Sequence, residues 1–128
     1  MALAKHIYEY AVVRIVPRVD REEFINAGVI LFCKELKYLE MRYTVSPARI
    51  QMLCSEIDCD EIGRHLAMME KICRGDAEGG PISRLDMPSR FRWLTATRST
   101  VVQSSRIHPG FCKDPSETLE RLYRQLVS

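Results

Sequence analysis

A chain of 128 residues is long enough for one domain with its own core, and folding should bury roughly two-thirds of the surface the unfolded chain exposes. Hydrophobic residues at 46% and charged residues at 28% are ordinary globular proportions and exclude wholesale disorder. Nineteen basic side chains against 17 acidic ones leave a formal charge of +2, so bulk electrostatics give no case for nonspecific nucleic-acid binding.

The opening residues, MALAKHIYEY, lack the apolar core of a secretory leader, and no later run approaches membrane-spanning length; a soluble, cytoplasmic protein is expected. Residues 7–16, IYEYAVVRIV, are rich in β-branched and aromatic types and stop at Pro17, which predicts a strand. Ile7, Ala11, Val13 and Ile15 share one face with Glu9, while Tyr8, Tyr10, Val12, Arg14 and Val16 share the other. Both faces are mostly apolar, so this strand is expected inside the sheet. Arg14 stands out there. A guanidinium keeps its charge, and a covered one calls for an acidic or anionic partner.

After the charged turn RVDREEF comes a second strand, INAGVILFC, and a third, KYLEMRYTV, follows the short link Lys34–Lys37. Both arms favour strand and the connection is brief, which predicts a hairpin. In the third strand Leu39, Met41, Tyr43 and Val45 form an apolar face opposite Tyr38, Glu40, Arg42 and Thr44. Ser46-Pro47 opens a helix that should reach about Glu56, with serine as N-cap and proline at the first helical position. A second helix is expected from about Asp60 to Arg74, with Ile62, Leu66, Met69 and Cys73 as its stripe and Gly75 as its stop. His65 lies at the edge of that stripe and reads as a locally bonded boundary histidine.

GDAEGGP, residues 75–81, reads as a mobile loop and lacks the spacing of a phosphate cradle. A helical or turn segment over 83–95, a strand near 99–105, a His108-Pro109-Gly110 turn and a last helix opened by Asp114-Pro115 complete the chain. Leu119, Leu122, Tyr123 and Leu126 form that last helix's stripe. The order β-β-β-α-α-β-α predicts an α+β fold, a mainly antiparallel sheet with helices packed against it. Five cysteines without a CxxC pair fit reduced, buried thiols, and neither a metal site nor a cofactor is expected.

Chemistry concentrates in RWLTATRSTVVQSSRIHPGF, residues 92–111. Arg92, Trp93, Arg98, Ser99 and Thr100 crowd the entrance to a strand, and an arginine fork with hydroxyls and backbone amides suits a phosphate or a carboxylate. Arg14 would join them if it projects the same way. The structural alternative pairs Arg98 with Glu23 or Glu40 and places Trp93 in the core. His108 is the candidate general base of a small hydrolase or nuclease, but no nucleophile elbow accompanies it. A nucleic-acid-binding regulator would draw on Arg90, Arg92, Arg98 and Arg106, with stacking by Trp93 or Phe91.

The segments EYAVVRIVPR, EEFINAGV, FRWLTATRST and HPGFCKDP, in this order and spacing, resemble the bacterial DUF3037 family over nearly the whole chain. That family has no established activity, so the resemblance implies kinship and carries over no catalytic residue. It places Arg14, Asn26, Gly28, Arg92, Trp93, Arg98, Ser99, Thr100, His108 and Pro109 inside the signature segments. Its members are often encoded beside a HipA-like kinase, which implies a partner role. The expectation is a small non-enzymatic accessory module whose binding surface centres on Arg92, Arg98, Ser99, Thr100 and His108.

Overall fold

In the computed structural model, which describes residues 5–98 and 100–127, the first two-faced apolar run forms strand β1, His6–Ile15, at the centre of the sheet. Strand β2, Ile25–Cys33, pairs antiparallel along one side of it, and β3, Tyr38–Tyr43, pairs with β2 at the sheet's edge. The β2–β3 hairpin closes through Lys34–Lys37, where Lys37 takes a positive φ of 52°. Along the other side of β1 run two short strands, β4 (Val102–Ser104) beside Val13–Ile15 and β5 (His108–Cys112) beside His6–Tyr10. All pairings are antiparallel, and β4 and β5 together act as one interrupted edge strand.

That interruption is patched by a side chain. Where β4 ends, Ser105 N donates to Val12 O at 2.8 Å, and Ser105 Oγ accepts the Val12 N–H at 2.8 Å in place of a carbonyl. A buried backbone N–H without an acceptor is costly, which explains a fully covered serine at a break in the ladder.

The β5 strand corrects the turn expected at His108-Pro109-Gly110. Proline lacks a ladder donor, but β5 is an edge strand and loses little by that. Gly110 is there for space. A Cβ on it would come within 2.5 Å of the Tyr8 ring, which lies across the strand. Gly28 has a similar reason, since its Cβ would meet Arg42 O and Tyr43 Cβ at 2.8 Å. It adjoins a β-bulge, where the β1–β2 register slips between Val13/Gly28 and Arg14/Asn26.

Three helices cover one face of the sheet: α1 (Pro47–Leu53), α2 (Cys59–Arg74) and α3 (Met87–Leu94). Ser46 caps α1 as expected, although α1 stops at Leu53, short of Glu56. Asp58 caps α2 by accepting from the Asp60 and Glu61 amides, and Gly75 ends it at φ 67°. The expected stripe of Ile62, Leu66, Met69 and Cys73 is buried against Val13, Ile15, Ile30, Phe32, Leu39 and Met41. The segment read as a mobile loop is two 3-10 turns, Ala77–Gly79 and Pro81–Arg84, the first capped by Asp76. The other face takes α4, Pro115–Leu126, whose Leu119 and Leu122 pack on Tyr8, Val29, Leu31 and Cys33. Helices on both faces of an antiparallel sheet make the fold α+β, with α3 and β5 added to the expected order.

Candidate functional site

The Arg-Trp-rich segment leaves α3 and enters β4. Asp86 caps α3 by accepting from Ser89 N at 2.9 Å, and Pro88 stands in the first turn, where no donor is missed. Phe91 and Leu94 turn into the core, so Trp93 turns outward and is 40% exposed, not buried as the structural alternative had it. Arg98 then folds back over the helix end. Its Nη2 donates to Trp93 O at 2.6 Å, Nη1 reaches Ala96 O at 3.5 Å, and Cζ stands 4.4 Å from the Trp93 ring centroid. Trp93 O already accepts the Ala96 N–H at 3.4 Å, but carbonyls at a helix C-terminus carry the negative end of the dipole and a second lone pair, so a guanidinium adds a bond there while stacking on the indole. The carboxylates expected for Arg98 are engaged elsewhere: Glu23 pairs with Arg21 at 2.8 Å and Glu40 with Arg74 at 3.4 Å.

Beyond Arg98, Thr100 Oγ1 donates to Val102 O at 2.7 Å and Gln103 Nε2 donates to Thr100 O at 2.8 Å, which pins the start of β4. Ser99 lies outside the described residues. A cavity of about 430 Å³ opens between this segment and α2, lined by Ile57, Asp58, Glu61, Ile62, His65, Thr100, Val101 and Val102. It meets a smaller cleft of about 140 Å³ at His65, Thr100 and Val102, and the cleft continues past Met69 and Leu94 to Trp93 and Arg98.

His65, with Thr100 and Val102, therefore lines both parts of this groove. Burial, with the neighbouring Arg98 charge, holds its pKa below the usual histidine value, while Glu61 pulls the other way. The ring is neutral near pH 7 and offers one donor and one acceptor. Reading it as a boundary histidine missed this. The signal was present in the spacing, because Asp58, Glu61 and His65 fall on one polar face of α2.

The other expected site residues do not gather here. Arg14 projects to the α4 face: its register partner Asn26 donates through Nδ2 to Leu126 O at 3.0 Å, whereas Val13 and Ile15 join the α2 core. Arg14 and Arg98 thus lie on opposite faces of the sheet. Arg14 is half-buried, and its partner is an aromatic ring, with Cζ 4.4 Å from the Phe24 centroid; among the described residues no carboxylate pairs with it. Its Nε and the Asn26 Oδ1 are both buried without a hydrogen-bond partner. Arg92 binds Ser89 Oγ at 3.3 Å on the outer side of α3.

His108 stacks on Tyr10, with ring centroids 5.2 Å apart. The nearby hydroxyls are occupied, Ser104 Oγ on Ser105 O and Ser105 Oγ on Arg106 O, each at 2.8 Å. Burial, reinforced by Cys33, pushes the Cys112 thiol up to about 11, so it stays protonated and poorly nucleophilic. Among the described residues no group of three or more His, Cys, Asp or Glu could hold a metal ion. Of the basic residues weighed for nucleic acid, Arg90 is spent on Leu85 O and Cys73 O, and Phe91 is buried and unavailable for stacking.

Fold and groove define a small α+β domain with a surface cleft rimmed by tryptophan, arginine, histidine and carboxylates. The chain belongs to the DUF3037 family, proteins of unknown function, whose model matches residues 10–127. No curated protein and no solved structure matches it significantly. Among the described residues no helix is long and apolar enough to cross a membrane.

Proposed function

We propose that the protein is a non-catalytic interaction module, an accessory partner of another cytoplasmic protein, with a HipA-like kinase as the first candidate. One observation carries the reading: an exposed tryptophan, fixed in place by a stacked arginine, borders a groove with an apolar floor. Tryptophan and arginine dominate binding hot spots because they bury large, rigid surface and donate directional hydrogen bonds. Arg98 is held by main-chain carbonyls and Trp93 by its own helix, so docking here would freeze few rotamers. The hydrolase reading lacks a free nucleophile beside His108 among the described residues, since the Ser104 and Ser105 hydroxyls are engaged and the Cys112 thiol stays protonated. The nucleic-acid reading keeps Trp93, Arg98 and the exposed Arg92 and Arg106 but loses Arg90 and Phe91, and Glu61 and Asp58 would repel a phosphate backbone.

The test is capture of partners from the native host, followed by binding of the recombinant HipA-like kinase to wild type and to Trp93→Ala. The reading expects a complex that the substitution weakens at least tenfold, about 1.4 kcal/mol. A complex indifferent to Trp93 would place docking elsewhere.

A further inference from the structure

The groove is charged differently at its two ends. At one end stands Arg98, anchored through Nη1 and Nη2 to carbonyls, with Nε–H and its remaining Nη hydrogens uncommitted. At the other stand Asp58 and Glu61. Asp58 Oδ1 is engaged as the α2 cap, but Glu61 is exposed and makes no ion pair among the described residues. The positive end of a helix dipole amounts to roughly half a charge, and Asp58, Asp60 and Glu61 outweigh it, so this end attracts cations. Ile57, Ile62, Val101 and Val102 give the cavity with those carboxylates an apolar floor, Met69, Leu94 and Val102 do the same beside Arg98, and neutral His65 lines both.

Resting on the docking reading above, we infer that the groove takes a short extended segment of a partner protein carrying an aliphatic side chain between a carboxylate and a cation. The carboxylate meets Arg98 and the cation meets Glu61 and Asp58. The two charges of the ligand therefore flank the aliphatic residue, one toward each end of the groove. Nucleic acid fits poorly, because every nucleotide would bring a phosphate toward the acidic end.

A phage-displayed library of random 12-residue peptides, selected on the full chain, tests this. Selected peptides should share the acid–aliphatic–base pattern and shift the Trp93 indole N–H and the His65 ring resonances in NMR titrations. Arg98→Ala should weaken them at least tenfold. Glu61→Lys should do likewise, and exchanging the peptide's cation for glutamate should restore binding to Glu61→Lys. Peptides that shift Trp93 and His65 but show no charge pattern, or no rescue, would overturn the inference and leave the docking reading standing. A library yielding no binder, or binders that leave both residues unmoved, would overturn both. Tight binding of a 12-nucleotide single strand at Trp93 would overturn both in favour of nucleic acid.

Discussion

Ser105→Ala isolates the device that lets β1 keep a partner along its whole outer edge. The hydroxyl accepts the Val12 N–H and donates to Arg106 O, both at 2.8 Å, and serine is only 4% exposed. Alanine removes little volume but leaves the Val12 amide in the interior without an acceptor. A stranded buried donor costs about 1–3 kcal/mol, and the lost hydroxyl bond adds about 1 kcal/mol, so the substitution should cost about 3 kcal/mol. At roughly 4 °C per kcal/mol for a domain of this size, the melting temperature should drop by about 12 °C. The control is Ser104→Ala, whose hydroxyl serves only the neighbouring Ser105 carbonyl and should cost under about 1 kcal/mol. Urea melts of both variants measure the difference. Equal, small losses would show that the ladder does not depend on Ser105, and the account of β4 and β5 as one patched strand would fail.

Arg14→Met should change stability by less than about 1 kcal/mol, because no carboxylate among the described residues is stranded by it and an orphaned Nε is removed; a loss of 3 kcal/mol or more in urea melts would reveal a buried acidic partner. His65 has a folded pKa below its unfolded value of 6.5, so the unfolded chain takes up its proton first and stability should fall as pH drops below about 6.5. Melting curves of His65→Gln across pH 5–7 should be flatter than those of wild type; parallel curves would contradict the groove environment. The thiols of Cys33, Cys73 and Cys112 are buried, with Cys73 and Cys112 also held protonated, so a thiol reagent at pH 8 should label Cys54 and Cys59 first and the other three only on unfolding. Mass spectrometry of the labelled peptides checks the order.

The core was legible because its signals are local. Two-faced apolar runs marked β1 and β2, the period of α2 placed its stripe, and Ser46-Pro47 and Asp114-Pro115 marked helix starts that the structure keeps. His108-Pro109-Gly110 misled because the same residues suit a turn and an edge strand; only the Tyr8 ring above Gly110 decides, and that contact spans about a hundred residues of sequence. The site was half legible. Trp93, Arg98 and Thr100 announced themselves by composition, but their company did not. Nothing in the sequence says whether Arg14 joins Arg98, and strand alternation about the bulge sends it to the other face. His65 and Glu61 come from a helix some thirty residues earlier and looked like an ordinary polar face until β4 was laid beside it.

Arg98→Ala, scored for melting temperature and for affinity toward the HipA-like kinase, measures directly whether Arg98 serves binding beyond capping α3. The cap is solvent-facing, so its loss should cost about 1 kcal/mol and lower the melting temperature by only about 4 °C, while the dissociation constant rises at least tenfold. A drop of 10 °C or more with unchanged affinity of the folded fraction would make Arg98 purely structural and contradict the account.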